Sequence, residues 1–431
     1  MPTSNRSTPI SLLPVLSVNF IGMLGYSIIM PFLVFLVNRF GGNEFIYGLL
    51  GATYPAFQFF GAPLLGRWSD RFGRRKILLL SQLGTFLAWV VFLIALYLPT
   101  DSLLRVDSTT LGSFAITLPL IFLLLARALD GLTGGNISVA NAYLSDISTE
   151  ETRKSNFAKM TISSNLGFVI GPALAGLLGA TVLQETLPVL TAMLISTVAL
   201  YLIWSHLPES KKDAQPLPAL KLSIKKFFHQ EHKECYELNS ETKAKNSFKE
   251  LLRLPSIPLI LGIYFLTFLG FSLFYAAFPM HALHFLEWDS LSLGIFFSFL
   301  SGLMIVVEGP LLSLLSKRLS ESQLIIVGGA ILVGNFVVIG LGGKELVYMA
   351  GVLFALGNGL MWPSFLSLLS KTGGAAQQGA VQGIANSSGS LASIVGLVIG
   401  GYLYGTFGPA TFLVTAVILA INWVLCLRLP R

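Results

Sequence analysis

The chain has 431 residues, of which 54% are hydrophobic and only 11% charged, with a mean hydropathy of +0.74. A soluble domain carries about 25% charged residues, so this surface is not built to face water on all sides. The net charge of +7 would point to nucleic acid only if its placement were ignored, and two cysteines, Cys235 and Cys426, exclude a disulfide framework and are expected as free thiols.

Apolar runs long enough for a hydrocarbon core of ~30 Å recur along the chain. They predict an all-α polytopic membrane protein. In chain order the spans fall at Ser11–Leu36, Ile46–Leu65, Ile77–Tyr97, Phe114–Leu144, Phe157–Val182 and Pro188–Trp204. Six more follow at Pro258–His284, Leu291–Leu315, Gln323–Leu341, Leu346–Leu369, Ala380–Tyr404 and Ala410–Leu427. The first reads as a retained span, because no basic n-region with a small-residue cleavage site accompanies it. With both termini cytoplasmic, 24 of the 28 Lys and Arg lie inside, Arg39, Arg105 and Lys344 lie outside, and Arg127 falls within a span. The opposite orientation violates the positive-inside rule.

Between spans two and three stands GRWSDRFGRRK, Gly66 to Lys76. Topogenic bias accounts for its arginines and lysine. It does not account for Asp70 or for the spacing of Gly66 and Gly73. Upstream and within this turn, Pro63, Leu64, Leu65 and Arg71 match Pro310, Leu311, Leu312 and Arg318 at a constant offset, and Gly171 and Gly176 match Gly396 and Gly401. Residues 1–206 and 256–431 therefore read as two parallel six-span halves joined by a charged cytoplasmic link, 207–255. Duplicated halves around a pseudo-two-fold axis are the architecture of alternating-access carriers.

These residues resemble the major facilitator superfamily, and within it the twelve-span drug:proton antiporters close to tetracycline exporters. Gly66, Asp70, Arg71, Gly73, Arg74 and Arg75 match the family's signature turn. RALDGLTGG, Arg127 to Gly135, is similar to its fourth-span motif. GFVIGPALAG, with Gly167, Gly171, Pro172 and Gly176, is similar to the fifth-span antiporter motif. The loop Ala142 to Arg153 and the stretch Gln378 to Gly396 resemble the corresponding parts of tetracycline exporters. Two departures stand out: Asn19 occupies a first span in which such exporters often carry an acid, and Lys317 stands where Asp70 stands in the first half. The resemblance implies a cytoplasmic latch, with Asp70 held by free N–H groups at the start of span eleven. Arg74 would meet Asp146, and both contacts would form only with the cytoplasmic side shut.

Away from the span ends, three Asp, Glu, Lys or Arg side chains remain inside the spans, Arg127, Asp130 and Glu308. Each costs ~2.5–3.5 kcal/mol on insertion scales, so each is a candidate for function. Arg127 and Asp130 are three apart on one helix, where side chains meet. Either they only neutralise each other, or Asp130 exchanges protons while Arg127 tunes it and contacts substrate. Glu308 has no charged neighbour within a turn; it reads either as a second proton carrier or as a water-exposed side chain low in span eight. Asn19, Tyr26, Gln58, Asn136, Asn165, Tyr264, Asn358, Trp362 and Asn386 could line a cavity or simply bond helix to helix. Phe57, Phe271 and Phe274 suit a large, partly apolar ligand. In GFVIGPALAG the glycines serve packing as readily as antiport. His229, His232 and Cys235 in the link form a three-residue repeat, better read as a solvated helix than as a metal site, and no metal ligands are assigned.

The chain lacks HExxH, GxSxG and GxxxxGK[ST], and an enzyme is not expected. The reading is a secondary transporter, exporting small amphipathic or cationic compounds in exchange for protons. The alternative is a carrier of a metabolite, sugar or siderophore on the same fold. The expected partners are a small-molecule substrate, protons and membrane lipid, with no nucleic acid, no cofactor beyond the proton gradient, and a monomer in the inner, cytoplasmic membrane.

Overall fold

Pro31 lacks a backbone donor and disfavours helix at the residue before it, so the first span forms two helices, α1 (Leu13–Ile28) and α2 (Met30–Arg39), meeting at Ile29. The computed structural model describes residues 12–134, 136–210, 257–371 and 374–429. Nearly all of the link, with His229, His232 and Cys235, lies outside the described residues. The first half continues through α3 (Glu44–Phe72), α4 (Arg74–Tyr97), α5 (Leu118–Thr133), α6 (Asn136–Ile147), α7 (Glu150–Gly179) and α8 (Thr186–His206). The second comprises α9 (Ile257–His284), α10 (Ser290–Val306), a π-helical turn Val307–Leu311, α11 (Leu312–Leu315), α12 (Glu321–Leu341), α13 (Val347–Lys371), α14 (Gly374–Phe407) and α15 (Thr411–Cys426).

Capping chemistry sets several of these boundaries. Asn43 accepts from Ile46 N at the head of α3, and Thr149 and Ser320 form capping boxes at α7 and α12. Gly73 ends α3 and precedes α4 at φ 102°, a left-handed conformation that favours glycine.

Among the described residues ten stretches are long and apolar enough to cross a membrane, and one of them, Ile384–Cys426, is 43 residues long and contains two helical passes. Helix α3 completes the twelve. It falls below the others in hydropathy because Tyr47, Tyr54, Pro55 and Gln58 interrupt its apolar run.

The same pairs of passes pack in each half. Helix α1 lies on α7 as α9 lies on α14; α4 lies on α5 and α8 as α12 lies on α13 and α15. Asn19 fastens the first of these pairs, donating to Met160 O at 3.1 Å and to Ser164 Oγ at 2.7 Å. Between halves, α3 packs on α14 and α7 on α10. These crossings are backbone on backbone: a Cβ on Gly401 would lie 3.0 Å from Gly48 Cα, and one on Gly176 would lie 3.1 Å from Gly294 Cα. Small residues permit this approach where the lipid supplies no hydrophobic drive for helix association. Both crossings sit at one end of the bundle, here called the far end, opposite the Gly66–Lys76 turn. There His284 Nδ1 meets Glu44 Oε1 at 3.2 Å, joining the halves.

A β-hairpin, Ser102–Ser108 paired with Gly112–Thr117, occupies the segment expected as a plain connection and as the first residues of span four. It is tied to the far end by Ala115 N donating to Gly41 O at 2.8 Å and Asn43 Nδ2 to Leu111 O at 2.7 Å. Helix α5 therefore begins at Leu118, four residues later than the hydropathy suggests.

Candidate functional site

Between the halves lies a cavity of about 440 Å³ walled by α1, α2, α3, α5 and α7 on one side and α9, α10 and α14 on the other. Its wall is aromatic. Tyr26, Tyr47, Tyr54, Tyr264 and Tyr275 line it with Phe168, Phe268, Phe271 and Phe297. Tyr47 and Tyr54 are seven apart on α3, two helical turns, which puts both on one face. The glycine crossings close the cavity at the far end. Toward the near end Asn386, a lining residue eleven positions before the sealing Leu397 on α14, is exposed.

Few polar groups reach this wall. Gln58 Nε2 donates to Tyr54 Oη at 3.1 Å and to Gly134 O at 2.9 Å, binding α3 to the end of α5. Tyr264 Oη donates to Asn386 Oδ1 at 2.9 Å. Arg127 is the one charged lining residue among those described. It is 7% exposed, and its guanidinium carbon sits 4.6 Å from the centre of the Tyr54 ring. Its Nη1 is 3.6 Å from Asp130 Oδ2, too long for a hydrogen bond, and its Nε has no partner. Asp130 stands behind it, accepting from Thr85 Oγ1 at 3.0 Å, and faces a small crevice with Trp89 and Phe92 rather than the cavity. The pair is therefore in contact but loosely held.

The sequence-derived candidates divide accordingly. Tyr26, Gln58, Tyr264, Asn386, Arg127 and Phe271 are brought together in the wall. Trp362 backs it, 5.2 Å from Phe268 and 5.4 Å from Tyr264 between ring centres. Asn19, Asn165, Asn358 and Glu308 are placed elsewhere: Asn19 is spent on the α1–α7 contact, Asn165 is half-buried on α7, and Asn358 is buried with Nδ2 3.8 Å from Met304 Sδ. The Asn136 side chain lies outside the described residues. Phe57 is partly exposed and Phe274 belongs to the core stack with Phe354. Glu308 lies in the π-helical turn, which Pro310 enforces by withholding a donor, and packs beside Gly359. Tyr47, Tyr54, Tyr275 and Thr85 join the site only in the fold; tyrosine at heptad spacing in an apolar span is the signal that could have found the first two.

At the near end the signature turn is a network. Arg74 Nη2 meets Asp70 Oδ1 at 2.7 Å, Nε meets Asp146 Oδ2 at 3.0 Å, and Nη1 donates to Ser69 Oγ at 2.6 Å. Glu209, just after α8, accepts the backbone N–H of Arg74 at 2.7 Å and of Arg75 at 3.2 Å, so a carboxylate sits on the positive end of α4. Arg75 bonds the carbonyls of Ile203 and Trp204, and the Arg71 guanidinium lies over the Phe72 ring at 5.4 Å. Gly66 is mid-helix, and a Cβ added to it would meet nothing within 4 Å, so the tight backbone belongs to Gly73 alone. The expected hold on Asp70 by N–H groups at the start of span eleven stays an expectation, because residues 372–373 and the first side chains of α14 lie outside the described residues. The resemblance ties Arg74–Asp146 to a closed near end; here the pair joins α4 to α6 within the first half. It braces one half and does not by itself require closure. Arg74→Gln leaves two carboxylates without their shared cation and is expected to cost roughly 1.5–3 kcal/mol, read as a lower unfolding temperature in detergent. Arg74→Lys should recover only part, since a point charge cannot bind both carboxylates as a guanidinium does.

In the fifth-span motif, Gly167 and Gly171 face α1, with Ser27 Oγ donating to Gly167 O at 3.0 Å, while Pro172 and Gly176 face Gly294 across the interface. Among the described residues no group of three or more His, Cys, Asp or Glu could hold a metal ion. Cys426 is a buried free thiol.

Comparison with known proteins matches a family model, the Major Facilitator Superfamily, over residues 15–396. The tetracycline resistance protein of class E from Escherichia coli is 27% identical over 393 residues, covering 89% of this chain and 85% of its own length. The crystal structure of the human organic anion transporter MFSD10 (TETRAN) superposes with a TM-score of 0.66 at 20% identity, covering 99% of this chain and 100% of that one. That of a D-xylose–proton symporter gives 0.73 at 14% identity, covering 97% and 96%. At such identities the structural likenesses speak for the fold.

Proposed function

The chain belongs to the Major Facilitator Superfamily and is a multi-pass membrane transporter, and on that premise we propose that it exports small amphipathic organic molecules in exchange for protons by alternating access. The observation that carries the reading is the loosely held Arg127–Asp130 pair, of which Arg127 lines an aromatic cavity between the halves. Protonating Asp130 takes the partner from a buried cation, and that cation, Arg127, reaches the ligand space. Proton and substrate thus act on one group. The near end, rich in Lys and Arg, faces the cytoplasm by the positive-inside rule, so this conformation is sealed outward. Binding energy that differs between the two sealed states is what drives the exchange of access. The relative named for tetracycline resistance supports an amphipathic ring system as cargo.

The test is reconstitution in liposomes with a trapped pH dye, followed by addition of amphipathic cations, tetracyclines, sugars and organic acids in turn. Proton movement is expected on adding one of these classes. Flux of a compound with no proton movement would remove exchange from the reading and leave a facilitator.

A further inference from the structure

We infer that the cavity selects acidic aromatic molecules, rings carrying a carboxylate or a comparable delocalised anion, over amines of the same shape; this rests on the cavity being the transport site. Charge is the first ground. Among the described lining residues the only charged group is the Arg127 guanidinium. The nearest acid, Asp130, stands behind it in a separate crevice, and Glu308 lines neither space. An ammonium entering here would meet a like charge in a poorly screened site with no carboxylate facing it. An anion would meet its complement.

The state of Arg127 is the second ground. A guanidinium offers five donors in a planar fork that matches a carboxylate bidentately. Here the side chain is 7% exposed, Nε is unpartnered, and Asp130 stands beyond hydrogen-bonding distance at 3.6 Å. Donors are thus held, desolvated and unspent beside the ligand space. The Tyr54 ring lies against the guanidinium, its centre 4.6 Å from the guanidinium carbon. It also means that the aromatic face best placed to attract a ligand cation already carries one.

The wall supplies the rest of the recognition. Tyr26 and Phe168 on one side, and Tyr264, Phe268 and Tyr275 on the other, offer flat apolar surface for a ring system in about 440 Å³. An acid bound to Arg127 competes with Asp130 for the same cation.

The experiment uses three matched probes, 2-naphthoate, 2-naphthamide and 2-naphthylmethylammonium, with the full chain in detergent at neutral pH. Binding is read by calorimetric titration and by competition for flux in liposomes. The expected order is acid tightest, by roughly tenfold or more over the amine, the worth of charge-assisted hydrogen bonds. Arg127→Gln should erase the preference and Arg127→Lys should keep part of it. Equal or tighter binding of the amine to the unmodified protein overturns the inference, and this arm needs no variant to fold. A preference that survives in Arg127→Gln overturns it too, because the selectivity then arises elsewhere. Failure of all three to bind also overturns it. The transport reading is decided apart from this by the proton-flux panel, which extends beyond naphthalene compounds.

Discussion

Gly401→Val is expected to open the far end of the molecule. The methyl position on Gly401 lies 3.0 Å from Gly48 Cα and is crowded by the carbonyl oxygen of Glu44, while that on Gly48 meets the Leu397 carbonyl. All of these neighbours are backbone, so no side chain can swing aside. Overpacking of this kind costs typically about 1–3 kcal/mol. If the two access states are closely balanced, that displaces the equilibrium by roughly 5–150-fold away from the state in which α3 and α14 touch. The readout is a distance distribution between spin labels at Arg105→Cys on the hairpin and Lys344→Cys on the second half, with Cys235 and Cys426 replaced by alanine. A shift to longer distances is expected in Gly401→Val. An unchanged distribution in a well-folded variant would show that the crossing does not hold the seal. Replacing His284 with glutamine should act in the same direction but weakly, because its pair with Glu44 is partly exposed and such pairs are worth about 0–1 kcal/mol.

That crossing also shows how far the sequence could be read. Periodic glycine in spans five and eleven marked close packing, and the match of Gly176 to Gly401 placed them at equivalent positions. The partners across the interface, Gly294 and Gly48, could not be chosen from many other glycines without the fold. The same holds for the cavity. Polar residues in apolar spans are legible, but hydropathy does not say which face they take. Gln58, Tyr264 and Asn386 turned to the ligand space while Asn19 was spent on Ser164 and Asn358 on packing. Helix α3 was readable as a span despite its lower hydropathy because its length and its flanking turns bounded it. The hairpin was not, since two short strands are marginal alone and these lean on Gly41, Asn43 and Phe40, residues some seventy positions away. The charged turn was legible as a motif but not as a network, because Glu209 reaches it from beyond α8.

Asp130→Asn is expected to abolish proton coupling while sparing downhill movement of substrate. Asparagine keeps the size of the side chain and can still accept from Thr85 through its amide oxygen, so the wall of the cavity should survive. It cannot carry a proton. Uphill accumulation driven by a pH gradient should therefore fall to the level set by substrate alone, and the dye signal on adding substrate should vanish. Glu308→Gln provides the contrast. Glu308 sits in the π-helical turn beside Gly359, away from the cavity and from Arg127, so its loss should leave coupling substantially intact. Coupling that survives Asp130→Asn but dies in Glu308→Gln would transfer the proton to the second half and leave the pair on α5 as a binding element. Coupling that survives both replacements would mean that neither carboxylate carries the proton. The distinction is physical. Only at Asp130 does the group that takes the proton share its counter-ion with the space where substrate binds, and that shared cation is what links the two.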